Sequence, residues 1–385
     1  MPFNINHMTP VLFGVNMSLR AGNRLRDLGC TKVLCVYDQG IKKAGIPDKI
    51  INNMKALGMK VVVYEGVQPD PPDYTVEECA DVVRKADVDA VVAIGGGSSM
   101  DTAKAANLLL TNPSPINRYM GMVRTAMKPG KTLILMPTTS GTGSEVTIYA
   151  VLTDSTDHKK KGPAGPLVRA TLAIVDPMLT VGMPPSVTAD TGMDAFCQSA
   201  ESLTAGNANP NADILAEKSI ALVSQFLPRA VDNGKDIEAR TQMSFAATLS
   251  GYAFVDSNTH LGHCMGHTLG ELFHIPHGNA CAVTMPEILE FLAETSPDGV
   301  RRIGMAMGLK VDATTSPKVA GRRVREGVIA LSKRVNLRTL KENKIKESDL
   351  DKTAGVAANQ GLNNMGSRRP DKQDWVEMLQ KAYER

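Results

Sequence analysis

The stretch Val88-Asp89-Ala90-Val91-Val92-Ala93-Ile94-Gly95-Gly96-Gly97-Ser98-Ser99-Met100-Asp101-Thr102-Ala103-Lys104 decides the fold class. A short apolar run ends in three glycines and opens into a helical pattern that continues to Leu110. A continuous apolar run of this length, closed by glycine, fits a strand buried on both faces. Similar runs occur at Lys32 to Asp38, Lys60 to Tyr64 and Thr132 to Pro137. Helix-like segments at Ile46 to Leu57 and Val76 to Ala86 separate them. Strands alternating with helices imply right-handed βαβ units and a parallel sheet covered on both faces.

After Pro177 the β-branched runs give way to Ala-, Leu- and Met-rich segments. These are Ala189 to Leu203, Pro210 to Phe226, Ile237 to Phe254, His263 to Leu272 and Ser316 to Val335. Their periodicity is helical. The expected organisation is an α/β dinucleotide-binding domain over 1–178 and an all-α domain over 179–385, with the boundary near 176–182. A cleft where two such domains meet is a natural ligand site.

Composition narrows the classes. The chain has 385 residues, 43% apolar and 22% charged, ordinary for a globular protein. A net charge of +3 is too small for a nucleic-acid or anionic-membrane footprint. No apolar run reaches the roughly 20 residues of a membrane span. Residues 1–7 lack the charged head and apolar core of a secretory signal. Six scattered cysteines without a CxxC pair read as reduced thiols, and the expected location is cytoplasmic.

Five stretches can carry chemistry. In Gly95-Gly96-Gly97-Ser98, backbone without side chains can approach a phosphate, and the N–H groups of the following helix turn favour an anion. The same residues also suit a plain βα turn capped by Ser98. Pro137-Thr138-Thr139-Ser140-Gly141-Thr142-Gly143-Ser144-Glu145-Val146-Thr147 is a second hydroxyl-rich loop after a strand; it suits either a cofactor or a connection. Asp38 ends a strand, where a carboxylate accepts from an adenine-ribose 2′-hydroxyl and repels a 2′-phosphate, favouring NAD over NADP. It also suits a helix cap. Five of the seven histidines lie between 260 and 277. His263 and His267 are four apart and share a helix face, and His277 sits in a turn able to fold back towards them. Imidazole suits zinc or ferrous iron. Asp194 offers an anionic oxygen to a metal, or serves as an interhelical carboxylate.

Taken together, these residues resemble the iron-containing (group III) alcohol dehydrogenase family along essentially the whole chain. The resemblance rests on Gly95-Gly96-Gly97-Ser98-x-x-Asp101-x-x-Lys104, on Pro137-Thr138-Thr139-x-Gly141-Thr142 with Glu145-Val146-Thr147, on Gly192-Met193-Asp194-Ala195, and on His263-x-x-x-His267 with Pro276-His277-Gly278. It implies reversible hydride transfer between NAD(H) and a small primary alcohol/aldehyde pair at a divalent metal, Fe2+ foremost, with Zn2+ or Mn2+ as alternatives. Asp194, Gln198, His263 and His277 occupy the metal positions. His267 and His263 are the catalytic positions, with His267 on the proton path. The cofactor positions are Asp38, Gly96, Gly97, Ser98, Asp101, Thr138, Thr139, Thr142, Thr147 and Lys160. Phe254 and His260 fall at the substrate pocket. Homo-oligomers are expected, with no nucleic-acid or membrane partner.

Three residues depart from the family pattern. Gln198 stands where His is usual, His260 where Gly is frequent, and Tyr149 where Asn is usual. An amide oxygen binds a divalent ion more weakly than imidazole. Two further readings follow. One is a metal-free dehydrogenase acting on an activated or anionic carbonyl (carboxylate, sulfonate or phosphonate), with His260 as an anion contact. The other is a dinucleotide-binding protein without catalysis.

Overall fold

The computed structural model describes residues 3, 5, 9–121 and 127–385. Residues 1–7, read above for a leader pattern, lie outside that description apart from Phe3 and Ile5. The chain divides into two compact units. One holds the described residues from Thr9 to Thr139 with Gly143–Gly182; the other holds Phe3 and Ile5, Ser140–Thr142 and Met183–Arg385.

The first unit is built on strands β1 (Val11–Phe13), β2 (Lys32–Asp38), β3 (Lys60–Val67), β4 (Ala90–Gly95), β5 (Thr132–Pro137) and β8 (Leu172–Val175). A small antiparallel pair, β6 (Leu152–Thr153) and β7 (Lys160–Lys161), lies between β5 and β8 in sequence. The other six strands form one parallel sheet in the order β1-β8-β5-β4-β2-β3. Helices α1 (Ala21–Asp27), α2 (Gln39–Lys43), α3 (Ile46–Ala56), α4 (Asp73–Ala86) and α5 (Gly97–Leu108) connect them. Every residue of β4 is buried, as its unbroken apolar pattern requires. From β2 the chain steps outward to β3, then returns to place β4 on the other side of β2. That reversal makes the carboxyl ends of β2 and β4 a topological switch point, where open α/β sheets bind ligands. Asp38 ends β2, and Gly95 ends β4, with Gly96 and Gly97 following.

The second unit is helical: α6 (Pro185–Thr204), α7 (Pro210–Asp232), α8 (Ile237–Ser257), α9 (Leu261–Phe273), α10 (His277–Ala282), α11 (Met285–Leu292), α12 (Pro297–Ala306), α13 (Pro317–Arg334), α14 (Leu350–Ala358) and α15 (Lys372–Tyr383). Caps fix several of these ends. The Asn209 side chain accepts from the N–H groups of Asn211 and Ala212 at the start of α7, and Asp371 and Asp374 form a reciprocal box on α15. The sequence pattern stops α7 at Phe226, but the helix runs six residues further through Pro228. Proline removes one donor, yet buried Leu227, Ala230 and Val231 keep the last turns packed. Strands β1 and β8, three and four residues long, are too short to stand out as periodic runs.

One apolar core fills the helical unit, with Phe196 and Trp375 wholly buried in it. Trp375 Nε1 donates to Asn363 Oδ1 at 3.1 Å, so the indole is satisfied as well as packed. Two further cores line the two faces of the sheet. Among the described residues, no helix is long and apolar enough to cross a membrane. Trp375→Ala empties a closed cavity and strands the Asn363 oxygen. It should cost about 3–5 kcal/mol, read as a lowered midpoint in urea unfolding.

Candidate active site

Helix α6 sets out the polar centre of the helical unit. Asp194, Gln198 and Glu201 follow at i, i+4 and i+7, so they share one face. All three are buried, at 2%, 2% and 0% exposure. Glu201 lies opposite the start of α9. Its Oε1 accepts from the backbone N–H groups of His260 (2.9 Å) and His263 (3.0 Å). Its Oε2 accepts from His263 Nδ1 at 2.5 Å. That contact places the His263 proton on Nδ1 and turns Nε2 towards Asp194 Oδ1, 3.5 Å away. Burial disfavours charge on both partners, but their mutual attraction outweighs it. The carboxyl is held below its ordinary value and the imidazole, with Asp194 also contributing, above its own.

His277 opens α10, and its Nε2 stands 3.9 Å from Asp194 Oδ1. Gly278 makes this approach feasible: a Cβ there would lie 1.9 Å from the carbonyl oxygen of Asp190 on α6. One donor atom from each of Asp194, His263, His277 and Cys281 lies within 4.8 Å of all the others. Asp194 Oδ1 is buried and has no hydrogen-bond partner. An orphaned carboxylate oxygen facing two imidazoles is a costly arrangement for the protein alone and a suitable one for a divalent cation. His267 joins the edge of this group, half-buried, with its ring centroid 5.9 Å from that of His277.

Gln198, at the fourth expected metal position, accepts from Ser250 Oγ through Oε1 at 2.8 Å. Phe254 sits half-buried on α8. His260 takes a position unlike the one expected of it. It is fully buried and caps α9, with Nδ1 accepting from the Leu261 N–H at 2.7 Å. Its Nε2 lies 2.9 Å from Thr204 Oγ1 and 3.0 Å from the Glu201 carbonyl. Burial lowers its pKa, against the pull of Glu201. Both ring nitrogens are committed to the protein, so the anion contact imagined for His260 is corrected to a structural cap.

In the α/β unit, Gly96 is the N-cap of α5 and offers no side-chain cap of its own. A Cβ on Gly95 would strike Ser99 Oγ at 2.3 Å. Gly97 and Ser98 form the partly exposed first turn of α5, beside partly exposed Thr139. Thr138 Oγ1 is buried without a hydrogen-bond partner. Exposed helix-start amides and an orphan hydroxyl fit a pyrophosphate-bearing group. Asp38 fills the capping part of its two anticipated roles. Its Oδ1 accepts from the Ile41 N–H to cap α2, while Oδ2 lies 3.5 Å from Ser99 Oγ at the switch point.

Other expected cofactor residues lie behind the loop. Asp101 accepts from Ser144 Oγ (2.6 Å) and the Val151 N–H (3.0 Å), using both oxygens. Lys104 is wholly buried and donates to Ser144 Oγ, Thr147 Oγ1 and the Tyr149 carbonyl at 2.7–3.1 Å. Asp101 and Thr147 therefore brace the loop. Lys160 pairs with Asp70 at 2.6 Å. Thr142 is partly exposed, in the short segment grouped with the helical unit, where Ser140 Oγ meets Ser244 Oγ at 3.2 Å.

Two members of the cluster escaped the sequence reading. Glu201 continues the Asp194, Gln198 row by one more turn. Cys281 follows His277 at i+4, the same spacing that joined His263 to His267.

Gly278→Ala forces α10 off α6. It should lower stability by about 3 kcal/mol and reduce metal retained through gel filtration, read by elemental analysis. Burial pushes the Lys104 amine down to about 8, against Asp101 and Glu145. From pH 8 to the ordinary value of 10.5 the unfolded chain therefore binds more protons than the folded one. Stability relative to Lys104→Met should be flat below pH 8 and rise with pH above it. At neutral pH the substitution should cost about 3 kcal/mol; urea melts at several pH values read both effects.

Residues 9–177 match the model of the iron-containing alcohol dehydrogenases, and residues 188–383 match that of the family's C-terminal domain. The chain is 37% identical over 303 residues to the NAD-dependent methanol dehydrogenase of Bacillus methanolicus, covering 79% of each chain. A crystal structure of 1,3-propanediol oxidoreductase superimposes with a TM-score of 0.94 at 30% identity, over 99% of this chain and 100% of that one. The sulfoacetaldehyde reductase of Bifidobacterium kashiwanohense, solved with NAD+, gives a TM-score of 0.91 at 27% identity, over 100% and 99%. With both of its halves matched, the chain belongs to the iron-containing alcohol dehydrogenase family.

Proposed function

We propose that this protein is an NAD(H)-dependent alcohol dehydrogenase that interconverts a small primary alcohol and its aldehyde at a divalent metal. The observation that carries the reading is the convergence of Asp194, His263 and His277, with a buried Asp194 oxygen that no hydrogen bond satisfies. A divalent ion bound there supplies Lewis-acid polarisation of the substrate oxygen. The nicotinamide supplies or accepts the hydride.

The chain's own residues do the rest. Glu201 fixes the His263 tautomer and keeps Nε2 available as a donor. His267, partly exposed beside His277, gives a proton to the nascent alkoxide and takes it back in the oxidation direction. Phe254 supplies an apolar wall, suited to a short substrate. At the carboxyl edge of the sheet, the first turn of α5 holds the pyrophosphate and Asp38 accepts from the adenine ribose. A 2′-phosphate would meet that carboxylate with like charge, so NADH is preferred to NADPH. His260 was the one residue that pointed to an anionic carbonyl. With both of its nitrogens engaged, His260 lends that anionic-substrate reading no support.

NADH oxidation with a panel of short aldehydes tests the proposal. Activity should fall on chelation, return with added metal, and be weaker with NADPH at equal concentration. His267→Ala should lower kcat roughly 100-fold while metal content stays unchanged. Full activity in chelated, metal-free protein would overturn the reading.

A further inference from the structure

Resting on the reading that this cluster holds a divalent metal, we propose that Cys281 is a metal ligand of this chain. It would supply a thiolate as fourth ligand where the family's third imidazole is replaced by Gln198. The donor set would then be one carboxylate, two imidazoles and one thiolate.

Three observations support the assignment. The first is spacing. Around a zinc-sized ion with bonds of about 2.1–2.3 Å, tetrahedral donors sit about 3.4–3.6 Å apart. Here His263 Nε2 is 3.5 Å and His277 Nε2 3.9 Å from Asp194 Oδ1, and Cys281 Sγ is 3.7 Å from His277 Nε2. The second is the space made for the sulfur. Gly266 on α9 faces Cys281, and a Cβ there would lie 2.3 Å from Sγ. The helix that carries His263 and His267 is thus left bare where the sulfur enters. The third is the Asp194 carboxylate, 2% exposed, which has one oxygen within 4.8 Å of the Cys281 sulfur and whose Oδ1 accepts no hydrogen bond. The Gln198 amide, by contrast, has its oxygen engaged by Ser250 at 2.8 Å.

Coordination is a proton-for-metal exchange. The Sγ–H bond is lost to solvent as the metal–sulfur bond forms, with no change of oxidation state. Asp194 and the thiolate together neutralise a divalent cation. Thiolate is a soft donor, so the set favours zinc over harder ions, unlike a site completed by an amide oxygen. Zinc with four protein donors can still expand to admit the substrate oxygen. His277, 30% exposed, marks the open side.

Cobalt(II) substitution tests this without turnover. The full-length protein is stripped, loaded with Co2+ under anaerobic conditions, and read by elemental analysis and absorption spectroscopy. Stoichiometric cobalt with an intense near-ultraviolet thiolate-to-cobalt charge-transfer band is expected. The band should persist in Gln198→Ala and vanish in Cys281→Ala and Cys281→Ser, with cobalt still bound by the serine variant. Cobalt bound without the band in the parent protein, or a band that survives Cys281→Ala, overturns the assignment while leaving the metal reading intact. Failure to bind cobalt at all overturns both. If the alanine variant does not fold, the parent spectrum and the serine variant decide the matter.

Discussion

The hydrogen bond between Glu201 and His263 is the constraint on which the helical unit's chemistry depends. A carboxylate wholly removed from water must be compensated, and Glu201 is compensated three ways: by the imidazole and by two backbone N–H groups at the head of α9. Those bonds lock the helix start to α6 and fix which ring nitrogen faces Asp194. The position of α10 follows from the same core, because Gly278 can lie against the Asp190 carbonyl only if α6 is held in place. The donor cluster is therefore a by-product of helix packing around one buried charge.

The α/β unit solves a parallel problem with the opposite sign. Lys104 brings a buried cation to a loop that would otherwise be a run of small and hydroxyl residues without shape. Its three donated bonds and the two accepted by Asp101 gather Ser144, Thr147, Tyr149 and Val151 behind the switch point. The glycines at the head of α5 remain free of such ties, which suits backbone that must approach a phosphate. Rigidity and access are thus divided between the middle and the first turn of a single helix.

Much of this was legible in the sequence because strong periodicity and short-range spacing survive folding. The buried strands at 32–38 and 132–137 carry the bounds their apolar runs suggest. Histidines four apart fall on one face of α9. What was not legible depends on residues distant in the chain. Whether a carboxylate such as Asp101 faces a ligand or a loop amide is settled by Ser144 and Val151, more than 40 positions away. His260 stood out because imidazoles crowd around it, yet its partners, Thr204 and Glu201, lie on another helix. Cys281 was masked by its composition class: a lone buried thiol reads as a small apolar side chain until its neighbours are known.

Gly266 and Cys281 also constrain how this sequence can change. An alanine at 266 is one of the simplest substitutions open to a glycine, and it is favoured in a helix interior. Here its methyl group would occupy the space of the sulfur. Position 266 can therefore accept a side chain only after position 281 has given up its thiol or shifted it. The two positions form a historical lock in which the order of substitutions matters, so a lineage carrying this pair reaches an alanine at 266 only by first remaking the donor set around Asp194.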